Sequence, residues 1–237
     1  ICGLAEGVPP ESQFARRLAE NGCRVLVPTL ISREMAKRAP PGQPGRANLT
    51  NREYDYRPAF ELGRHLIGYE LQKVLAGVDW FAKEGGDIKP KIGVIGYGEG
   101  GMLALYAGAA DERIDATCVS GYFGPRETIS QQPIDRNVFN LLKEFGDAEV
   151  ASLITTRKVV IDPIEAPRFN LPSEGGAPTQ FAGPTADSVR LESNRFWKIA
   201  REIRLGESGS PPEIGQLGLA AFGRGTPDQA LLAFLMM

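Results

Sequence analysis

The chain alternates short apolar runs with longer stretches in which apolar residues recur every three or four positions. The run Cys23–Ile31 is almost entirely apolar, which is typical of a strand buried on both faces of a parallel sheet. Similar runs at Lys91–Ile95, Asp115–Ser120 and Lys158–Ile161 predict three further strands of the same kind. The sequence therefore predicts a sheet of buried strands.

Helical spacing occupies the intervals between these runs. The predicted helices cover 11–21, 62–83, 102–110, 138–154 and 186–205. Near the termini we expect the end of a strand at 1–4, a strand at 217–222 and a closing helix from Thr226. Because strands and helices alternate throughout, the fold class is α/β, a mostly parallel sheet with helices on both faces, within a single domain spanning 1–237.

Two segments interrupt this alternation. Residues 38–58 and 163–186 are rich in Pro and Gly and show little periodicity. Such composition favours loops over regular elements. We predict a loop insertion over one edge of the fold at 38–58 and a flexible Pro/Gly loop at 163–186.

Composition narrows the function classes. The 237 residues include 27 Lys and Arg against 29 Asp and Glu, a net charge of -2, so no basic excess favours nucleic acid. The longest apolar stretch, 230–237, is far shorter than the ~20 residues of a membrane helix. Cysteines Cys2, Cys23 and Cys118 form no C-x-x-C pair, and His65 is the only histidine, so we expect neither a metal nor a cofactor. The sequence gives no indication of the cellular compartment.

His65 lies opposite the apolar stripe of the predicted 62–83 helix, which favours a surface or loop-contacting role over a catalytic one. Aromatic residues at loops and strand ends are candidates to line a binding cleft. These residues are Tyr54, Tyr56, Tyr122 and Phe123.

The segment from Lys91 to Gly108 runs from a buried strand through a glycine turn into a helix of small residues. Gly96, Gly98 and Gly101 match the dinucleotide-binding pattern G-x-G-x-x-G. That pattern also requires a carboxylate at the end of the next strand, to bind the ribose hydroxyl. The strand here ends in Ser120-Gly121-Tyr122, so the dinucleotide pattern is incomplete.

The same turn has a second interpretation. The sequence Gly96-Tyr97-Gly98-Glu99-Gly100-Gly101 resembles G-Y-C-x-G-G, the nucleophile elbow of dienelactone hydrolases, a branch of the α/β-hydrolase superfamily that includes acetylxylan-esterase-like enzymes. The order of elements across 1–161 is similar to that branch and implies a fold shared with carboxylic-ester hydrolases. No counterpart to the first two strands of that fold is visible, so we expect the chain to be part of a longer protein.

The resemblance implies three catalytic positions. The nucleophile position falls on Gly98, flanked by Tyr97 and Glu99, and the acid position falls on Asp162, with Glu165 as a substitute. The histidine should lie within 222–226, which contains none. The sequence thus predicts a non-catalytic binding or structural domain whose partner is a small molecule, a protein or another domain of the polypeptide.

Two alternatives stay open. One is an active esterase-like hydrolase with non-standard catalytic residues, such as Glu99 acting as an acid or base at the start of the helix, where the helix dipole would lower the pKa of its carboxylate. The other is a nucleotide-binding α/β protein that uses the Gly96 turn.

Overall fold

The structure is a computed structural model that describes residues 13–38, 45, 47–86, 89–165, 168–171, 173–208 and 234–235. Its helices are α1 (Phe14–Glu20), α2 (Asn51–Glu61), α3 (Leu66–Glu84), α4 (Glu99–Ala110), α5 (Leu141–Glu144), α6 (Asp147–Ser152) and α7 (Ala186–Ser208). Its strands are β1 (Met35–Arg38), β2 (Ala47–Thr50), β3 (Gly93–Tyr97), β4 (Ala116–Ser120), β5 (Lys158–Asp162), β6 (Phe169–Asn170) and β7 (Gln180–Phe181). The strands predicted at the two ends of the chain lie outside the described residues, and so does the predicted closing helix apart from 234–235, which are helical.

The three strands β3, β4 and β5 form a parallel sheet in that order. Because side chains alternate between the faces of a strand, Val119 and Ile161 face one side and Cys118 and Val160 face the other. The first pair packs with buried residues of α4, α6 and α7. The second pair packs with Leu18 of α1. The sheet therefore has helices on both faces, and the predicted α/β class is confirmed.

The strand predicted at Cys23–Ile31 is wrong. These residues have no regular secondary structure, and Leu26 and Val27 are 47% and 38% exposed. At the end of the run, the Ile31 amide donates a hydrogen bond to the Glu70 carboxylate at 2.9 Å instead of to a neighbouring strand. An apolar run alone did not reveal that side chains would compete for its backbone groups.

The loop predicted at 38–58 is also largely wrong. Strands β1 and β2 pair as an antiparallel hairpin, with Met35 opposite Thr50, and α2 begins directly afterwards. The Thr50 hydroxyl accepts a hydrogen bond from the Glu53 amide at 3.0 Å and caps this helix. Pro58 lies inside α2, and its presence in the sequence had favoured a loop.

The other predicted helices are present with shifted bounds. The 62–83 helix begins only at Leu66, and the 138–154 pattern is divided at Gly146, whose backbone is extended, into α5 and α6. The described residues of 163–186 are irregular apart from the short pair β6 and β7. Whether that segment is flexible stays a prediction.

Candidate active site at the glycine elbow

The glycine turn joins the end of β3 to the start of α4. Gly98 has φ of 56° and ψ of -114°, a backbone conformation that residues with a Cβ rarely adopt. The Gly98 amide donates to the carbonyl oxygen of Ser120 at 2.9 Å, which holds the turn against β4. This is the strained turn that a nucleophile elbow requires.

The neighbouring glycines allow β3 and α4 to approach closely. A Cβ on Gly96 would lie 1.9 Å from the carbonyl oxygen of Gly100, and one on Gly101 would lie 2.7 Å from that of Ser120. At Gly98, in contrast, a Cβ would meet no described atom within 4 Å. The turn is therefore tight at Gly96 and Gly101, whereas the position where hydrolases carry their nucleophile has room for a side chain among the described residues.

Asp162, the candidate acid, ends β5 in the same row of the sheet as Ser120 and Tyr97. The Ser120 hydroxyl donates to the Asp162 carboxylate at 2.8 Å. Burial raises the pKa of Asp162, and the Ser120 hydrogen bond opposes that shift. The Tyr97 hydroxyl donates to the backbone carbonyl of Glu165 at 2.9 Å. The structure thus places Asp162 at the same end of the sheet as the elbow but separated from the elbow strand by β4, with a serine of β4 rather than a histidine as its partner.

His65 lies at the start of α3, and both of its ring nitrogens are engaged. Nδ1 accepts from the Ile67 amide at 3.2 Å and caps the helix, and Nε2 donates to the carbonyl oxygen of Asn137 at 2.7 Å. Burial lowers the pKa of His65, outweighing the Asn137 hydrogen bond that raises it. The expected loop-contacting role agrees with this geometry.

Glu99, the residue after the elbow glycine, is held by two arginines. The Arg33 guanidinium donates to both carboxylate oxygens of Glu99, with a shortest distance of 2.7 Å. Arg52 lies 2.9 Å from the same carboxylate. Bidentate pairs of this kind fix the orientation of a carboxylate. The carboxylate is thus held by ion pairs in addition to lying at the positive end of the α4 dipole.

These arginines belong to a buried charge network that consists of Arg33, Arg52, Glu70, Glu99 and Asp135. Arg52 is 1% exposed and also binds Glu70 at 2.7 Å and Asp135 at 2.6 Å, while Arg33 reaches Asp135 at 2.8 Å. Burial lowers the pKa of the Arg52 guanidinium, but the surrounding carboxylates outweigh it and raise that pKa. Burial likewise opposes the ionisation of Asp135, yet Arg33 and Arg52 lower its pKa.

Sequence reasoning missed this network apart from Glu99. Its members come from the irregular segment before β1, from α2, α3 and α4, and from the short 3₁₀ helix Ile134–Arg136. The dense charges of Asn51–Arg57 were the available signal, but they lay in a segment interpreted as a loop. Of the candidate cleft aromatics, Tyr122 and Phe123 are buried in the core, and Tyr56 is buried on α2.

Parallel strands, helices on both faces and a glycine elbow together define an α/β-hydrolase fold. The chain matches the sequence model of the dienelactone hydrolase family over residues 4–146, more than half of its length, and it belongs to that family. Comparison with curated proteins and with solved structures found no match. Membership of this family favours the elbow interpretation of the glycine turn over the dinucleotide one.

Two features are absent from the described residues. In that part of the chain, no helix is both long and apolar enough to cross a membrane. Over the same residues, no group of three or more His, Cys, Asp or Glu side chains is arranged to hold a metal ion. The carboxylates around the elbow bind arginine or serine instead.

Proposed function

We propose that this hydrolase-fold domain does not hydrolyse esters and acts as a binding or structural domain. The observation that carries the proposal is Gly98, which occupies the elbow position without a side chain. Nucleophilic acyl transfer requires a hydroxyl or thiol at that point and a base within hydrogen-bond reach. Gly98 can supply neither a nucleophile nor a contact to a base.

The candidate acid and the described histidine support the same conclusion. In a triad the acid accepts a hydrogen bond from the histidine and orients it. Here Asp162 accepts from Ser120, while His65 uses one nitrogen as a helix cap and the other on a backbone carbonyl. Recruiting His65 as a base would require α3 to lose its cap.

The alternative of an active hydrolase rests on Glu99. As an acid or base Glu99 would have to exchange protons with a substrate, but Arg33 and Arg52 already bind both oxygens of its carboxylate. A carboxylate whose two oxygens are held by ion pairs is not free to contact a substrate. Glu99 therefore fits a structural role, in which it ties the start of α4 to the buried network.

The test is hydrolysis of p-nitrophenyl acetate by the purified 237-residue chain. We expect a rate equal to that of buffer, because the elbow position Gly98 carries no nucleophile. The comparison variants are Glu99→Gln and Glu20→Gln, the latter an exposed glutamate in a single ion pair with Arg16. Turnover that survives repeated purification, is lost in Glu99→Gln and is retained in Glu20→Gln would establish the active alternative.

A further inference from the structure

An exposed apolar patch lies where the end of α2 meets the start of α5. The rings of Phe60 and Phe139 approach edge to face, with centroids 6.2 Å apart. Phe139 is 73% exposed and Leu62 is 76% exposed. The whole patch, which we call the Phe139 face, consists of Phe60, Leu62, Phe139, Leu142 and Phe145. Single exposed apolar residues are ordinary on a protein surface, but a contiguous group of them marks an interaction surface.

The ends of two helices build the Phe139 face. Phe60 lies in the last turn of α2, and Leu62 directly follows that helix. On the other side Asn140, directly before α5, turns the chain through a left-handed backbone with φ of 67°. Leu142 lies within α5, Phe145 directly follows it, and both line the same shallow depression. Because helix ends hold these side chains, the face is formed before any partner binds.

The charged residues around the Phe139 face indicate what kind of partner it fits. Residues 60–64 and 139–145 contain two acids and two bases, all exposed, namely Glu61, Arg64, Lys143 and Glu144. An anionic membrane favours a basic rim, and a strongly charged protein favours a rim of the opposite sign. A rim with equal numbers of both signs instead complements itself, because a two-fold axis places acids of one copy opposite bases of the other.

The size of the Phe139 face also fits a second copy of the chain. A covered aromatic side chain buries ~150–250 Å², so the exposed fractions of the three phenylalanines leave about 250 to 400 Å² of apolar surface. A stable dimer covers about 800 Å² on each partner, of which roughly 65% is apolar. The phenylalanines therefore supply at least about half of the apolar area that a dimer needs, and the two leucines add to it.

We propose that the Phe139 face binds the same face of a second copy of this chain and forms a two-fold symmetric dimer. Because both copies contribute the same residues, every substitution in the face acts twice in the dimer. The inference goes beyond the proposed function, since the pairing uses α2, α5 and the residues next to them and does not involve the elbow.

The direct test is sedimentation velocity of the purified 237-residue chain from about 1 to 200 μM, a range that covers micromolar dissociation constants. We expect the mass to rise with concentration from 25.7 kDa towards twice that value. Phe139→Ser should weaken dimerisation at least tenfold, because an aromatic residue near the centre of an interface contributes most to its affinity. The control Leu153→Ser removes a leucine that is 59% exposed and follows the far end of α6, and it should dimerise like wild type.

Both side chains are exposed, so neither variant leaves a cavity, and circular dichroism checks that each is folded. If Phe139→Ser is unfolded, Leu62→Ser takes its place with the same expected loss. A wild-type chain that stays monomeric over the whole range would overturn the proposal. Monomers that bind phosphatidylcholine vesicles would overturn it in favour of a lipid surface.

A pair of charge-reversed chains tests whether the two faces meet. Arg64→Glu combined with Lys143→Glu makes the rim wholly acidic, and Glu61→Lys combined with Glu144→Lys makes it wholly basic. Each chain alone should dimerise less than wild type because like charges repel, and an equimolar mixture of the two should recover the dimer. A mixture that associates no more than either chain alone would refute the assignment of this face.

Discussion

Replacing Gly98 by serine tests whether the elbow has lost its chemistry together with its nucleophile. A Cβ at position 98 meets no described atom within 4 Å, so the substitution introduces no steric overlap. The penalty comes from the backbone alone, because φ of 56° with ψ of -114° costs a residue with a side chain about 1 to 3 kcal/mol. Serine also reduces the conformational entropy of the unfolded chain, which stabilises the fold by roughly 0.4 to 1 kcal/mol.

The net loss of stability for Gly98→Ser is therefore about 0 to 2.6 kcal/mol, which lowers Tm by at most about 10 °C in a chain of this size. Gly100→Ser is the matched control. A Cβ at Gly100 also meets no described atom within 4 Å, but this residue is helical and has no positive φ, so the variant should be as stable as wild type or slightly more so.

The assays for both variants are thermal unfolding and p-nitrophenyl acetate hydrolysis. We expect Gly98→Ser to melt below Gly100→Ser and to show no esterase activity, because no histidine is expected to activate the new hydroxyl. Clear turnover by Gly98→Ser would reveal a base that we have not identified and would refute the non-catalytic assignment. A Tm equal to that of Gly100→Ser would refute the strain argument.

Two titratable groups give pH-dependent predictions. The pKa of His65 is lowered in the folded chain, so the unfolded chain binds a proton more readily and stability should fall as the pH drops below about 6.5. The variant His65→Asn can cap α3 but does not titrate. In thermal melts between pH 7.5 and pH 5, this variant should therefore not show that loss of stability. The pKa of Asp162 is raised instead, so ionisation of its carboxyl destabilises the folded chain. The variant Asp162→Asn can still accept the hydrogen bond from Ser120. It should raise Tm at pH 7 and leave Tm unchanged at low pH. A Tm difference for Asp162→Asn that is equal at both pH values would contradict the burial argument.

The parts of the fold that depend on local pattern were predictable from the sequence. Strands β3, β4 and β5 are short apolar runs separated by helical segments, so their existence followed from the sequence pattern. The glycine elbow was predictable for a related reason, because Gly96 and Gly101 are required by backbone contacts that a Cβ would block. The unusual backbone conformation of Gly98 was also predictable, because it is the conformation of the middle residue in a nucleophile elbow.

The parts that depend on distant side chains were not predictable. Cys23–Ile31 has the composition of a strand, but polar groups near its end bind Glu70 and Arg52, which come from helices later in the chain. The start of α2 depends on a single hydroxyl of Thr50, and the pattern around Pro58 obscured it. The buried network joins residues up to 102 positions apart, and sequence spacing carries no information about such pairs.

The charge network and the elbow are linked through Glu99, and this link supports the proposed non-catalytic function because it gives the turn a structural role. In an active hydrolase, catalysis provides a reason to keep a strained turn. Here Gly98 relieves the strain, and the next residue is fixed by Arg33 and Arg52. Because the same arginines bind Asp135 and Glu70, the start of α4 is tied to α2, α3 and the segment before β1. Buried ion pairs add little net stability compared with an apolar core, but breaking one leaves an uncompensated charge. Under the proposed non-catalytic function, the elbow serves as a structural junction between α4 and the buried charge network.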